Sequence, residues 1–144
     1  MGSLAYARIR LANARRPELS AIEINALANT GALHLCIPEH VAIQLQLDEL
    51  EKREVTVADG SQRLVSYQGP IIVSFANRQC YAGAMVLGDE AFLGAIPMED
   101  MDLVITPATR QVGVNPANPN IAVSIAKGLP PATSLATRGG KRGA

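Results

Sequence analysis

The residues best placed to do chemistry fall in three short runs. Asn29-Thr30-Gly31-Ala32 follows an apolar, strand-like lead-in and precedes a second apolar run that ends at Ile37-Pro38-Glu39. Asp59-Gly60 sits between two β-prone stretches, a pairing that signals a hairpin turn. Phe92-Leu93-Gly94 closes another apolar run about sixty residues after the first. Alone, Asn29-Thr30-Gly31 reads as an Asx turn, in which the short amide bonds backbone two residues on. The amide also has the shape of a carboxylic acid, yet it neither takes nor gives a proton at ordinary pH.

Other reactive side chains group less well. His34, Cys36 and His40, even with Cys80 added, fit no usual zinc spacing, and His40 is expected on a helix beyond Pro38. No metal and no organic cofactor is therefore expected. His34 is expected on a strand near the Asn29 run, and both thiols are expected to be reduced and buried. Asp89-Glu90 reads as adjacent strand positions, which point to opposite faces and do not converge as a glycosidase pair. Glu99, Asp100 and Asp102 read as a solvated face. Met98 and Met101 are expected to fill the core or a dimer seam.

The elements that must position these residues are mostly strands. Residues 4–10 alternate, with Leu4, Tyr6 and the neighbourhood of Ile9 expected on one face. Residues 13–20 read as a connection broken at Pro17, and residues 21–28 alternate again with Ile22, Ile24 and Ala26 together. Beyond Pro38 the period changes to that of a helix, expected over about 38–46, with Pro38 in its first turn and Glu39 at the positive end of its dipole. The chain is then β-rich to Gly94, apart from turns at Asp59-Gly60 and at Ala76-Asn77-Arg78. A short helix is expected near Pro97, and a last strand before the Asn/Pro-rich 115–120. No internal repeat of useful length is visible. Many short strands with one or two short helices predict an all-β, barrel-like domain and not alternating β and α units.

In order and spacing, "ALANTGALHLCIPEHVAIQL", "VTVADGSQRLV" and "LGDEAFLGAIPMEDMDLVI" resemble the retropepsin-like aspartic proteases, including their small bacterial members, over roughly residues 4–115. The resemblance implies a retropepsin-like closed barrel, half of an acid protease, that forms a symmetric homodimer. It implies an aspartic endopeptidase in which two aspartates, one per subunit, share a proton and activate a water against an extended peptide or protein substrate. Residue by residue, Asn29 takes the catalytic aspartate position, Thr30 the loop-locking position, and Gly31 and Ala32 the close-approach positions. Val57, Ala58, Asp59, Gly60 and Ser61 would form a flap over the substrate, and Leu93 and Gly94 would support the loop from beneath. Ala32, the flap residues, Leu93 and Gly94 are thus the candidate substrate-binding set.

With Asn29 in both subunits the site has no acid and no base, so this chain is expected to be an inactive variant. Two origins of the amide fit the sequence: a deliberate Asp-to-Asn replacement that traps a folded protease, and a natural pseudoprotease serving as a non-catalytic peptide-binding or dimerisation module. Retention of Thr30, Gly31 and the hairpin favours the first. The pocket walls on offer are Leu, Ile, Val and Ala, so apolar side chains are expected near the cleaved bond.

Composition excludes other classes. At 48% hydrophobic and 18% charged, the 144 residues suit one globular core. Thirteen basic and thirteen acidic residues leave no net field to steer the protein to nucleic acid or an anionic membrane. Aromatics at 3% argue against a base-stacking platform. Arg8, Arg10, Arg15 and Arg16, and later Arg138, Lys141 and Arg142, read as solvated termini. No stretch approaches membrane-span length and no apolar leader precedes a cleavage site, so a cytoplasmic location is expected. The expected division is a protease-like domain over 1–120 and a flexible C-terminal tail over 121–144.

Overall fold

The structure, a computed structural model, describes residues 4–126 and 128. Its strands are β1 (Ala5–Asn13), β2 (Ile22–Ala28), β3 (Leu35–Ile37), β4 (Asp48–Thr56), β5 (Gln62–Phe75), β6 (Arg78–Val86), β7 (Ala91–Leu93), β8 (Leu103–Thr106) and β9 (Gln111–Val114). Two six-residue helices, α1 (Glu39–Gln44) and α2 (Ala95–Asp100), follow β3 and β7. The β-rich expectation is met, with one helix beyond Pro38 and one spanning Pro97.

The sheet closes on itself. Its strands run β4-β5-β6-β3-β7-β2-β1-β9-β8, and β5 also pairs with β1, which makes a six-stranded ring of β5, β6, β3, β7, β2 and β1. β5 can serve two partners because it bends midway. Its first half pairs with β4 as far as Gly69, the register slips between Gln68 and Ile71, and residues 71–74 then pair with β1. An extra residue in one strand bends and twists it, so this bulge carries β5 from the projecting hairpin into the ring. β4 is left as an outer arm hydrogen-bonded to β5 alone.

Ile9 and Leu11 of β1, Leu35 and Ile37 of β3, Ile71 and Val73 of β5 and Leu93 of β7 fill the ring, all at 1% exposure or less. Val41 of α1 and Met98 of α2, with Leu45 and Met101 just past the ends of the two helices, plug it, so both methionines are core residues. Each large apolar side chain so buried contributes roughly 1.5–3 kcal/mol. The expected inward face of β1 is corrected. Ala5, Ala7, Ile9 and Leu11 point inward, while Leu4 and Tyr6 are exposed. Ala7, Ile9 and Leu11 pair across to Ala26, Ile24 and Ile22 of β2, whose inward alternation matches the expectation.

Of the expected tail, residues 121–126 and 128 are described and the rest lies outside the described residues. Residues 121–126 have no strand assignment, and the backbone N–H of Val123 donates to Asp102 Oδ2 at 3.1 Å. No helix among the described residues is long and apolar enough to cross a membrane.

Candidate functional site

β2 runs parallel to β7, with Ala28 opposite Leu93, and the chain turns as it leaves this pairing. Asn29 N–H donates to Leu93 O at 3.0 Å, and Ala32 N–H closes the turn on Asn29 O at 3.0 Å. Inside it, Asn29 Oδ1 accepts from Gly31 N–H at 2.9 Å, an Asx turn. Asn29, Thr30 and Gly31 are exposed. The exit of the turn is pinned to the start of α2, where Ala95 N–H donates to Ala32 O at 2.8 Å and Ile96 N–H to Leu33 O at 2.9 Å. Gly94 makes this approach possible: a Cβ there would lie 2.4 Å from His34 O and 2.7 Å from Leu33 C. Its φ of −84° is ordinary, so the position is constrained by space and not by backbone conformation.

Opposite the turn stands the tip of the β4–β5 hairpin. Val57 N–H donates to Ser61 O and Gly60 N–H to Val57 O, each at 2.9 Å, with Gly60 at φ 87°. The Asp59 carboxylate accepts from the Ser61 hydroxyl at 2.6 Å and from its N–H at 2.8 Å. These two bonds, the hydroxyl first, hold the exposed Asp59 carboxyl below its ordinary pKa. Between turn and hairpin lies a cleft of about 590 Å³. Asn29 and Ala32 form one side and Val55, Thr56, Val57 and Ala58 the other. Leu33, His34, Cys36, Met85, Leu87, Gly88 and Phe92 complete its lining.

The candidate residues therefore divide. Asn29, Ala32, Val57 and Ala58 meet in the cleft wall. Thr30 and Gly31 stay on the outside of the turn, Asp59, Gly60 and Ser61 make the exposed hairpin tip, and Leu93 and Gly94 lie buried behind the turn. Sequence reasoning did not assign Cys36, Met85, Leu87 or Phe92 to the wall. Ala32, Leu33, His34 and Cys36 all reach it from the run that follows the turn, so adjacency to Asn29 was the available signal for Cys36.

His34 is the titratable base of the wall. It immediately precedes β3 and lies under the Arg53 side chain, with Arg53 Nη1 3.2 Å from His34 Nε2. Burial first, and the Arg53 charge second, lower its pKa from the usual histidine value. The Cys36 thiol, half-buried and not fully buried as expected, is pushed up by burial. Cys80 is pushed up to about 12 by its burial and by Asp100. Neither thiol is poised as a nucleophile. Among the described residues no three His, Cys, Asp or Glu side chains gather as a metal site. Asp89 and Glu90 lie on an exposed bend and not on a strand, and Glu90 accepts from the Tyr6 hydroxyl at 3.2 Å. Asp102 accepts from Asn115 and Asn118 at 3.1 and 2.8 Å, which makes it a clasp for the C-terminal segment and not half of an acid pair.

The residues of the cleft wall include no carboxylate. The arrangement presents an amide on a braced turn, an apolar lining and a hairpin wall that can hold an extended apolar chain; the amide itself neither takes nor gives a proton, and the Nε2 of the His34 base is engaged by Arg53.

The sequence matches no known family profile and no curated protein. Among solved structures the fold is similar to a Legionella pneumophila protein of unknown function (DUF785), at 12% identity and a TM-score of 0.40, over 74% of this chain and 91% of that one. That likeness is too distant to bear on function.

Proposed function

We propose that this chain is a peptide-binding domain of retropepsin type, with Asn29 at the position of the catalytic aspartate, and that with aspartate there it is a homodimeric aspartic endopeptidase. One observation carries the reading. The Asn29 turn is braced from behind by Leu93, Gly94 and Ile96 and faces a cleft whose other wall is a projecting hairpin. An ordinary surface turn has no need of such bracing.

The chemistry follows from the turn. A carboxylate at position 29 accepts the same Gly31 N–H bond and keeps one oxygen for water. A single carboxylate is not enough, because one group must take a proton while another gives one. A second copy supplies that group, and two carboxylates in contact share one proton because both cannot ionise together. The exposed Asn29 turn and the apolar side chains beside it support a partner on this face. Leu33 is 59% exposed and Ile96 47%, and Val123 and Ile125 adjoin Ile96. Covering them would exclude water from the reacting bond. With Asn29 in both copies the acid and the base are gone, each worth about a hundred- to ten-thousandfold in rate.

The Asx bond within the turn also suits a second reading, a pseudoprotease that binds peptides without cutting them, since the turn is complete with its amide. The Asn29→Asp variant separates the two. The enzyme reading expects it to gain acid-favoured, pepstatin-sensitive cleavage of extended apolar peptides. Peptide binding by both forms, with no cleavage by either, supports the binding module.

A further inference from the structure

The hairpin is joined to the turn by side chains that proteolysis does not require. Arg53, Val55 and Val57 alternate along the half-buried face of the β4 arm, and Val55 and Val57 line the cleft. Arg53 continues that row toward the hairpin base. Its guanidinium carbon lies 4.3 Å from the centre of the Tyr67 ring, its Nε donates to Glu51 Oε2 at 2.6 Å, and its Nη1 meets His34 Nε2. Arginine keeps its protons, so Nε2 is the acceptor and the neutral His34 ring carries its proton on Nδ1. Both ends are held in place. A Cβ on Gly83 would lie 2.4 Å from the Tyr67 ring, and the His34 backbone is packed on Gly94.

We propose that the Arg53–His34 hydrogen bond is a pH-sensitive tether between the β4 arm and the Asn29 turn, released when His34 takes a proton. Protonation turns the acceptor into a donor and sets an imidazolium against a guanidinium. The other groups facing His34 do not compensate. Glu51 is engaged on the Nε edge of Arg53, Tyr67 presents its ring in a T-shaped contact at 5.9 Å, and the neutral Cys36 thiol is two residues along the chain. Because burial and Arg53 already hold His34 below the usual histidine range, the tether is intact at neutral pH and lost as pH falls below that range. The tether stands on its own geometry; its consequence, freer entry of a peptide in acid, rests on the proteolytic reading.

Amide exchange along Asp48–Thr56, corrected for the intrinsic pH dependence of exchange, tests it beside an NMR titration of the His34 ring. β4 protection should fall on the order of tenfold as His34 titrates, while β6 reports an unchanged barrel. His34→Gln, an uncharged acceptor, should keep β4 protected through the same range. Arg53→Met should leave β4 at neutral pH as weakly protected as the unaltered protein in acid. β4 protection that ignores the His34 titration, or a His34→Gln variant with the original pH dependence, overturns the proposal. Neither readout involves cleavage, so failure here leaves the proteolytic reading untouched.

Discussion

Two corners of the barrel share one local build and hold different things. Leu35–Ile37 leads through Pro38 into Glu39–Gln44, then Leu45, then Gln46 at φ 53°. Ala91–Leu93 leads through Gly94 into Ala95–Asp100, then Met101, then Asp102 at φ 55°. Each short strand buries its first and third residues, each helix starts without a side-chain cap, and each ends on a fully buried side chain. The first corner is sealed inward: buried Asn13 donates to Leu45 O at 2.9 Å and Gln46 O at 3.1 Å. The second reaches outward. Asp102 gathers Asn115, Asn118 and Val123, and the buried Arg78 donates to Asn118 O. At its other end the second corner carries the Asn29 turn on Gly94. The two corners share their strand and helix geometry; the second differs in having given up a side chain, at Gly94, where the backbone of Leu33 and His34 packs.

Gly94→Ala should break the comparison hardest. The added methyl meets backbone on the turn side, which cannot swing away, so a loss of roughly 3 kcal/mol or more is expected in denaturant unfolding. Pro38→Ala at the matching position loses the packing of a buried ring and some restriction of the unfolded chain but meets no clash, so it should cost less than Gly94→Ala, and equal costs would mean that the turn does not press on Gly94. Asn13→Ala comes next. It strips the donor from two carbonyls at the first corner and should cost about 1–3 kcal/mol, with the cleft unaffected. The smallest effect is expected at the outward clasp. Asn115 first, then Val123 and Asn118, hold the Asp102 pKa below its ordinary value. A carboxyl lowered by folding stabilises above its unfolded pKa, and that contribution disappears as pH falls through the folded one. Thermal melts of the Asp102→Asn variant should therefore lie below those of the unaltered chain at neutral pH and converge with them in acid. A constant gap would remove Asp102 from the clasp.

What the sequence made legible follows how local each signal is. The hairpin at Asp59-Gly60 and the helix after Pro38 declare themselves through residues within one turn of each other. The Asp48–Lys52 half of β4 does not, because both its faces meet solvent and no alternation marks it. β1 misleads because its inward positions begin with small alanines while Leu4 and Tyr6 point out, and a one-residue slip exchanges the two faces. The paired corners stay hidden because Pro38 and Gly94 fill one position for unrelated reasons. In the cleft, Asn29, Ala32 and Val57 lie in recognisable runs. Arg53, Tyr67 and His34 come together only through closure of the barrel and the projection of its hairpin, which no local pattern encodes.

On the proposed reading, the Asn29 turn is half of a catalytic site completed by a second copy. The most direct measurement is peptide turnover by the Asn29→Asp variant as a function of its own concentration, with sedimentation of both forms alongside. The account predicts turnover per chain that rises with concentration as dimers form and is abolished by pepstatin. It also predicts an Asn29 chain that dimerises at least as tightly near neutral pH, since two amides meet without repulsion. A variant that stays monomeric and cuts nothing at any pH, or an Asn29 chain that dimerises clearly more weakly, would contradict it.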